Sequence, residues 1–147
     1  MANPVCDVSL SEEPIGEPKA IVDLACGAEV VFRGIVRQLE DGREIEGIEY
    51  EAHQIMAEHQ LLSIAQRALA RSPLRAVLIH HRIGFVPAGE ASLLVCVSSG
   101  HRAEAFDASR WMVDELKKSV PIWKQVRYKI DNHTSGLPLP IVAEVSA

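Results

Sequence analysis

Lys117 and Lys124 are separated by Lys118-Ser119-Val120-Pro121-Ile122-Trp123, a connector whose proline and tryptophan stiffen the return of the chain, so that both amines can face one pocket. Amines that crowd other cations and shed water hold their protons less tightly, which turns them into bases or nucleophiles near neutral pH. The same spacing also fits an ordinary solvated lysine cluster. Upstream, Gly100-His101-Arg102 follows the apolar run Leu93-Leu94-Val95-Cys96-Val97 and opens a helical pattern. Free backbone N–H groups and the helix dipole would there meet an imidazole and a guanidinium, giving an anion seat. The plainer alternative is a capping histidine beside a solvated arginine. Arg37, closing Val30-Val31-Phe32-Arg33-Gly34-Ile35-Val36, is either a third cation for the site or a surface arginine at a strand end.

Other reactive residue types point away from chemistry. His80 and His81 are adjacent, and neighbours in a strand point to opposite faces, so they cannot share one metal ion without a bend. His53 and His59 lack companions at ligand spacing. Glu49 and Glu51 share a strand face, which reads better as solvated than as an acid/base pair. The three cysteines, Cys6, Cys26 and Cys96, are odd in number and widely spaced with no CxxC pair, against a disulfide framework or a zinc site. Cys96 sits in a run typical of a buried strand, so sulfur handled here has to come from elsewhere. Neither a metal nor a resident cofactor is expected.

A net charge of −5 over 147 residues opposes broad nucleic-acid binding, including an RNA-binding reading built on Trp123 and Tyr128. The charge is uneven: residues 117–129 hold five bases and no acid, and residues 1–18 hold four acids and no base. A local basic pocket on an acidic protein suits a small anionic substrate. The longest apolar runs fall far short of the roughly 20 residues of a membrane-spanning helix. No basic start followed by an apolar block marks a signal peptide, so a soluble, cytoplasmic protein is expected.

The elements that must position these residues follow from periodicity. One domain over 1–147 is expected, since 48% of the residues are apolar and can fill a core. Residues 1–16 read as an irregular lead-in and 18–25 as a short helix ended by Gly27. Strands are expected at 28–36, 45–51, 75–82 and 91–97, with turns at Asp41-Gly42 and Pro87-Ala88-Gly89-Glu90. A helix over 54–71 would face inward through Ile55, Leu62, Ala65 and Leu69 and stop at Ser72-Pro73. A second, over 102–118, would use Phe106, Met112, Val113 and Leu116 and stop at Pro121. The sum is an α+β domain with an antiparallel sheet and packed helices.

These pieces together resemble one family. Phe32-Arg33-Gly34-Ile35-Val36-Arg37, His81-Arg82-Ile83-Gly84 with Pro87 and Gly89-Glu90, Ser98-Ser99-Gly100-His101-Arg102 with Phe106, and Lys117 through Pro121-Ile122-Trp123-Lys124 resemble the molybdopterin synthase catalytic subunits, in order over about 100 residues. The resemblance implies an α/β hammerhead fold, a homodimeric core and a small ubiquitin-like sulfur-carrier subunit whose Gly-Gly tail ends in a thiocarboxylate. It implies cyclic pyranopterin monophosphate as substrate, converted to the dithiolene of molybdopterin. It also implies catalytic roles for Lys117 and Lys124 and substrate-binding roles for Arg37, His101 and Arg102. The chain departs from the family pattern at His53-Gln54, at Gln125-Val126 and in the tail 130–147. A non-catalytic α+β binding module for a small anion or a protein tail is the competing reading. Arg102 and Lys117, 15 residues apart, would lie roughly 22 Å apart on one helix at about 1.5 Å per residue. One site can therefore use both only if two protomers share it.

Overall fold

The computed structural model describes residues 3–18 and 23–130 and the backbone of Ala143–Val145. In chain order the elements are β1 (Val5–Ser11), β2 (Ala28–Ile35), β3 (Leu39–Glu40), β4 (Arg43–Ala52), α1 (Gln54–Arg71), β5 (Leu74–Arg82), β6 (Gly84–Pro87), β7 (Ala91–Ser99), α2 (Arg102–Ser119), β8 (Ile122–Tyr128) and β9 (Ala143–Val145). They form two sheets. The first runs β1-β5-β7-β2; the second runs β3-β4-β8-β9, with β6 also paired to β4.

The near-continuous apolar sequences of β5 and β7 make them the centre of the first sheet, because only strands covered on both faces tolerate such runs. Val77, Ile79, Leu93, Val95 and Val97 share the main core with Leu61 and Ile64 of α1 and Met112 and Leu116 of α2. In the second sheet β4 alternates, burying Ile48 and Tyr50 and sending Glu49 outward to Arg127 of β8 at 3.2 Å. That ion pair accounts for Glu49 as a strand-surface residue. The α+β architecture expected from the sequence is the one found.

Several elements depart from expectation. The lead-in 1–16 is not irregular over Val5–Ser11, which pairs in parallel with β5, Val5 opposite Ala76 and Ser11 opposite Arg82. Pro4 and Pro14 flank this strand and do not interrupt it. Residues 19–22 of the expected helix over 18–25 lie outside the described residues, Leu24 and Ala25 form a turn, and most of the tail 130–147 is likewise not described. Both long helices have the expected bounds; the inner face of α1 differs from expectation, and that of α2 differs at Phe106. In α1 the buried residues are Ala57, Leu61, Ile64, Ala65 and Ala68, and Ile55 is 80% exposed. In α2, Met112, Val113 and Leu116 are buried with Ala105, Ala108 and Ser109, whereas Phe106 is 61% exposed. Small side chains let each helix lie close to the sheet, and the bulky neighbour a position away is turned to solvent. Ile122 and Trp123, expected in the connector, and residues 124–128, to which no element was assigned, form β8 alongside β4.

Candidate active site

α2 ends where Val120, buried, donates its backbone N–H to the Leu116 carbonyl, and Pro121 cannot extend the helix. The chain reverses there into β8. Lys117 in the last helical turn and Lys124 in the strand are thereby brought to one cleft of about 280 Å³. Its other walls come from Phe32, Gly34, Ile35, Val36 and Arg37 at the end of β2, from Glu40, and from Ile48 and Tyr50 of β4, with Ser92 and Leu93 of β7 behind them. Tyr50 and Lys124 are register partners across β4 and β8 and so lie on one sheet face. Among the described residues, three cations thus line the cleft against one carboxylate.

Tyr50 closes the inner end. Its ring meets His81 edge-on, centroids 5.3 Å apart, and Ser92 lies beside it in the cleft wall. Burial, with a smaller push from the Glu40 charge, raises the Tyr50 pKa against the opposing effect of Ser92, so the phenol stays protonated. His81 is fully buried, and burial lowers its pKa from 6.5 to about 4, the bond to Arg82 pulling the other way. Its Nδ1–H donates to the Arg82 carbonyl at 2.8 Å, which fixes the neutral tautomer.

The five residues singled out in the sequence are not brought to one place. Lys117, Lys124 and Arg37 line the cleft, while His101 and Arg102 stand exposed at the opposite end of α2. His101 occupies the N-cap position without a side-chain capping bond; Ser99 Oγ donates to its carbonyl at 2.6 Å. Glu40, Tyr50 and Ser92 escaped the sequence reading. For Glu40 a signal was available, since the Asp41-Gly42 turn folds it back beside Arg37. Tyr50 is found by following the alternation of β4 from Ile48. His53, without a role in the sequence reading, caps α1 by accepting the Met56 N–H on Nδ1 at 3.3 Å. Cys96 is held as a thiol: burial, then the Glu29 charge, raises its pKa to about 11. Among the described residues, no group of three or more His, Cys, Asp or Glu side chains could hold a metal ion.

Fold and cleft together define an α+β protein with a cationic pocket suited to a small anion. The family model "MoaE protein" matches residues 10–119, and the chain belongs to that family. It is 46% identical over 106 residues to the molybdopterin synthase catalytic subunit of Oryza sativa subsp. indica, covering 72% of this chain and 55% of that one. This chain therefore aligns with about half the length of the rice relative. It is 45% identical over 123 residues to the catalytic subunit of Pyrococcus abyssi, covering 80% and 83% of the two. The molybdopterin synthase structure from Staphylococcus aureus superposes with a TM-score of 0.75 at 33% identity, covering 82% of this chain and 90% of that one. A complex of subunits 1 and 2 of molybdopterin-converting factor from Helicobacter pylori shares the fold, with a TM-score of 0.60 at 23% identity over 75% of each chain.

Proposed function

We propose that this chain, as one domain, is the catalytic subunit of a molybdopterin synthase, moving sulfur from the thiocarboxylate tail of a small carrier subunit to cyclic pyranopterin monophosphate. The convergence of Lys117, Lys124 and Arg37 in one cleft carries this reading. Both reactants are anionic, so fixed cations offset their mutual repulsion and hold them for reaction without further reorganisation. Each transfer exchanges an oxygen of the pterin side chain for sulfur and returns the carrier tail as a carboxylate, with no net oxidant or reductant. Lys117 serves the carrier's terminal carbonyl as proton shuttle or transient nucleophile, and Lys124 orients or protonates the pterin. The Helicobacter pylori complex supports a partner subunit.

A homodimer with shared sites belongs to the same reading. α2 is one uninterrupted helix from Arg102 to Ser119, so its two charged ends lie roughly 20 Å or more apart at about 1.5 Å per residue. His101 and Arg102 then serve the cleft of the partner protomer. An exposed apolar groove between β2 and α2, lined by Val31, Phe32, Phe106 and Val113, supports an interface there. Phe32 also lines the cationic cleft, so a copy seated in the groove would border the cleft rim. The deciding experiment mixes the purified protein with a thiocarboxylated carrier and the cyclic pyranopterin. Dithiolene product is expected, and none forming would remove the assignment.

A further inference from the structure

A carboxylate is unexpected in a cleft that seats anions. Glu40 lines it nonetheless, with only 19% of its side chain exposed. Its one hydrogen-bonding partner among the described residues is Arg37, whose Nη2 lies 3.4 Å from Oε2 and whose side chain is 78% exposed. Elsewhere the protein makes tighter pairs, Arg82–Glu90 and Arg75–Asp23, both at 2.9 Å. The Arg37 contact is loose and solvated, and leaves the carboxylate with acceptor capacity to spare. Its place is set by the backbone. Asp41 and Gly42 take φ values of 52° and 73°, the left-handed pair of a tight hairpin turn, and the Ile45 N–H closes the hairpin on the Gln38 carbonyl at 2.9 Å.

A second acceptor lies beside it. Tyr50 is in the same wall, and its phenol oxygen has lone pairs that can accept a hydrogen bond from the cleft. One wall therefore presents the cations Lys117 and Lys124. The other presents a donor, Arg37, next to two acceptors.

We propose that Glu40 determines specificity by reading the donor edge of the substrate heterocycle. The proposal rests on the pterin phosphate reading above. A pterin edge shows a carbonyl oxygen, a ring N–H and an amino group in a row. The last two are spaced like the fork of a guanidinium, which a carboxylate accepts with both oxygens. Glu40 takes those two donors, Arg37 donates to the adjacent carbonyl, and the lysines remain for phosphate and thiocarboxylate.

The test measures binding to the intact protein and to Glu40→Gln with three probes: 6-hydroxymethylpterin, its analogue with a carbonyl in place of the 2-amino group, and inorganic phosphate. Wild type should prefer the pterin to the analogue. The variant should bind pterin about tenfold or more weaker, since charge-assisted bonds are lost, and lose that preference. Phosphate should bind equally or a few-fold tighter to the variant, because a repelling charge is gone. If pterin and phosphate weaken together, Glu40 merely props Arg37; if both tighten, it merely competes for the seat; if neither changes, it reads nothing. Each of these overturns the proposal. Should wild type show the stated selectivity yet make no dithiolene, the functional reading fails while the role of Glu40 stands. Should it make product while Glu40→Gln leaves pterin affinity unaltered, only the present inference fails.

Discussion

The two ends of α2 carry the same kind of charge in different company. At the C-terminal end, Lys117 sits one residue after the buried Leu116 and meets Lys124 from β8 and Arg37 from the end of β2. At the N-terminal end, His101 and Arg102 project from the first turn into solvent. Lys118, next to Lys117, is spent on Glu115 at 3.9 Å along the helix surface. Basic residues thus become a site only where a second and third element arrive to enclose them. In the proposed dimer, the N-terminal end gains such company from a second copy of the chain.

The largest expected effect tests the enclosed end. Lys117→Ala should lower dithiolene formation by about a hundredfold or more, the scale for loss of a group acting on the reacting centre, with the thermal midpoint little changed. Retention of most activity would make Lys117 an ordinary surface lysine. Next comes the contrast itself. Arg102→Ala and Lys117→Ala proteins, each inactive, should regain roughly a quarter of wild-type activity when dimers exchange at random, since about half the dimers are mixed and each holds one intact site. A mixture as dead as its parents, with exchange proven, would confine the site to one chain.

The smallest effect concerns what lies under the enclosed end. His81 supports the Tyr50 ring, and its pKa in the folded protein is about 4 against an ordinary 6.5. Between those values the unfolded chain binds more protons than the folded one. The stabilising contribution is therefore complete above pH 6.5 and lost as the pH falls toward 4, by at most about 3 kcal/mol. Urea midpoints at pH 7 and pH 4.5 should separate further for wild type than for His81→Gln. Equal separations would mean that His81 is not buried neutral.

Most of the element order was legible because periodicity and turn chemistry are local. Asp41-Gly42, Ser72-Pro73 and Pro121 each end an element where the sequence places the break. The helix faces were harder to read. Large residues attract the eye, yet α1 and α2 approach the sheet through Ala57, Ala65, Ala68, Ala105 and Ala108, leaving Ile55 and Phe106 outside. β8 was masked by Lys124, Gln125 and Arg127, polar residues among which Ile122 and Val126 are buried. In the cleft, Lys117, Lys124 and Arg37 were visible as clustered cations. Glu40, Tyr50 and Ser92 come from three separate strands; only Glu40 carried a local signal, its turn back toward Arg37, whereas Tyr50 and Ser92 acquire meaning through contacts distant in sequence.

β1 has a consequence for the order of folding. It is an edge strand whose whole register lies on β5, with Ser11 opposite Arg82. During synthesis the first strand made must wait until residue 82 has left the ribosome, and closing so long a loop is slow compared with hairpin formation. β5 and β7 can pair as soon as both exist, which leaves the apolar edge of β5 open for that interval. An open edge of that kind recruits strands from other chains. β1 is in this sense a late-arriving cover, and slowing its arrival would show first as aggregation during expression, before any loss in the activity of the molecules that fold.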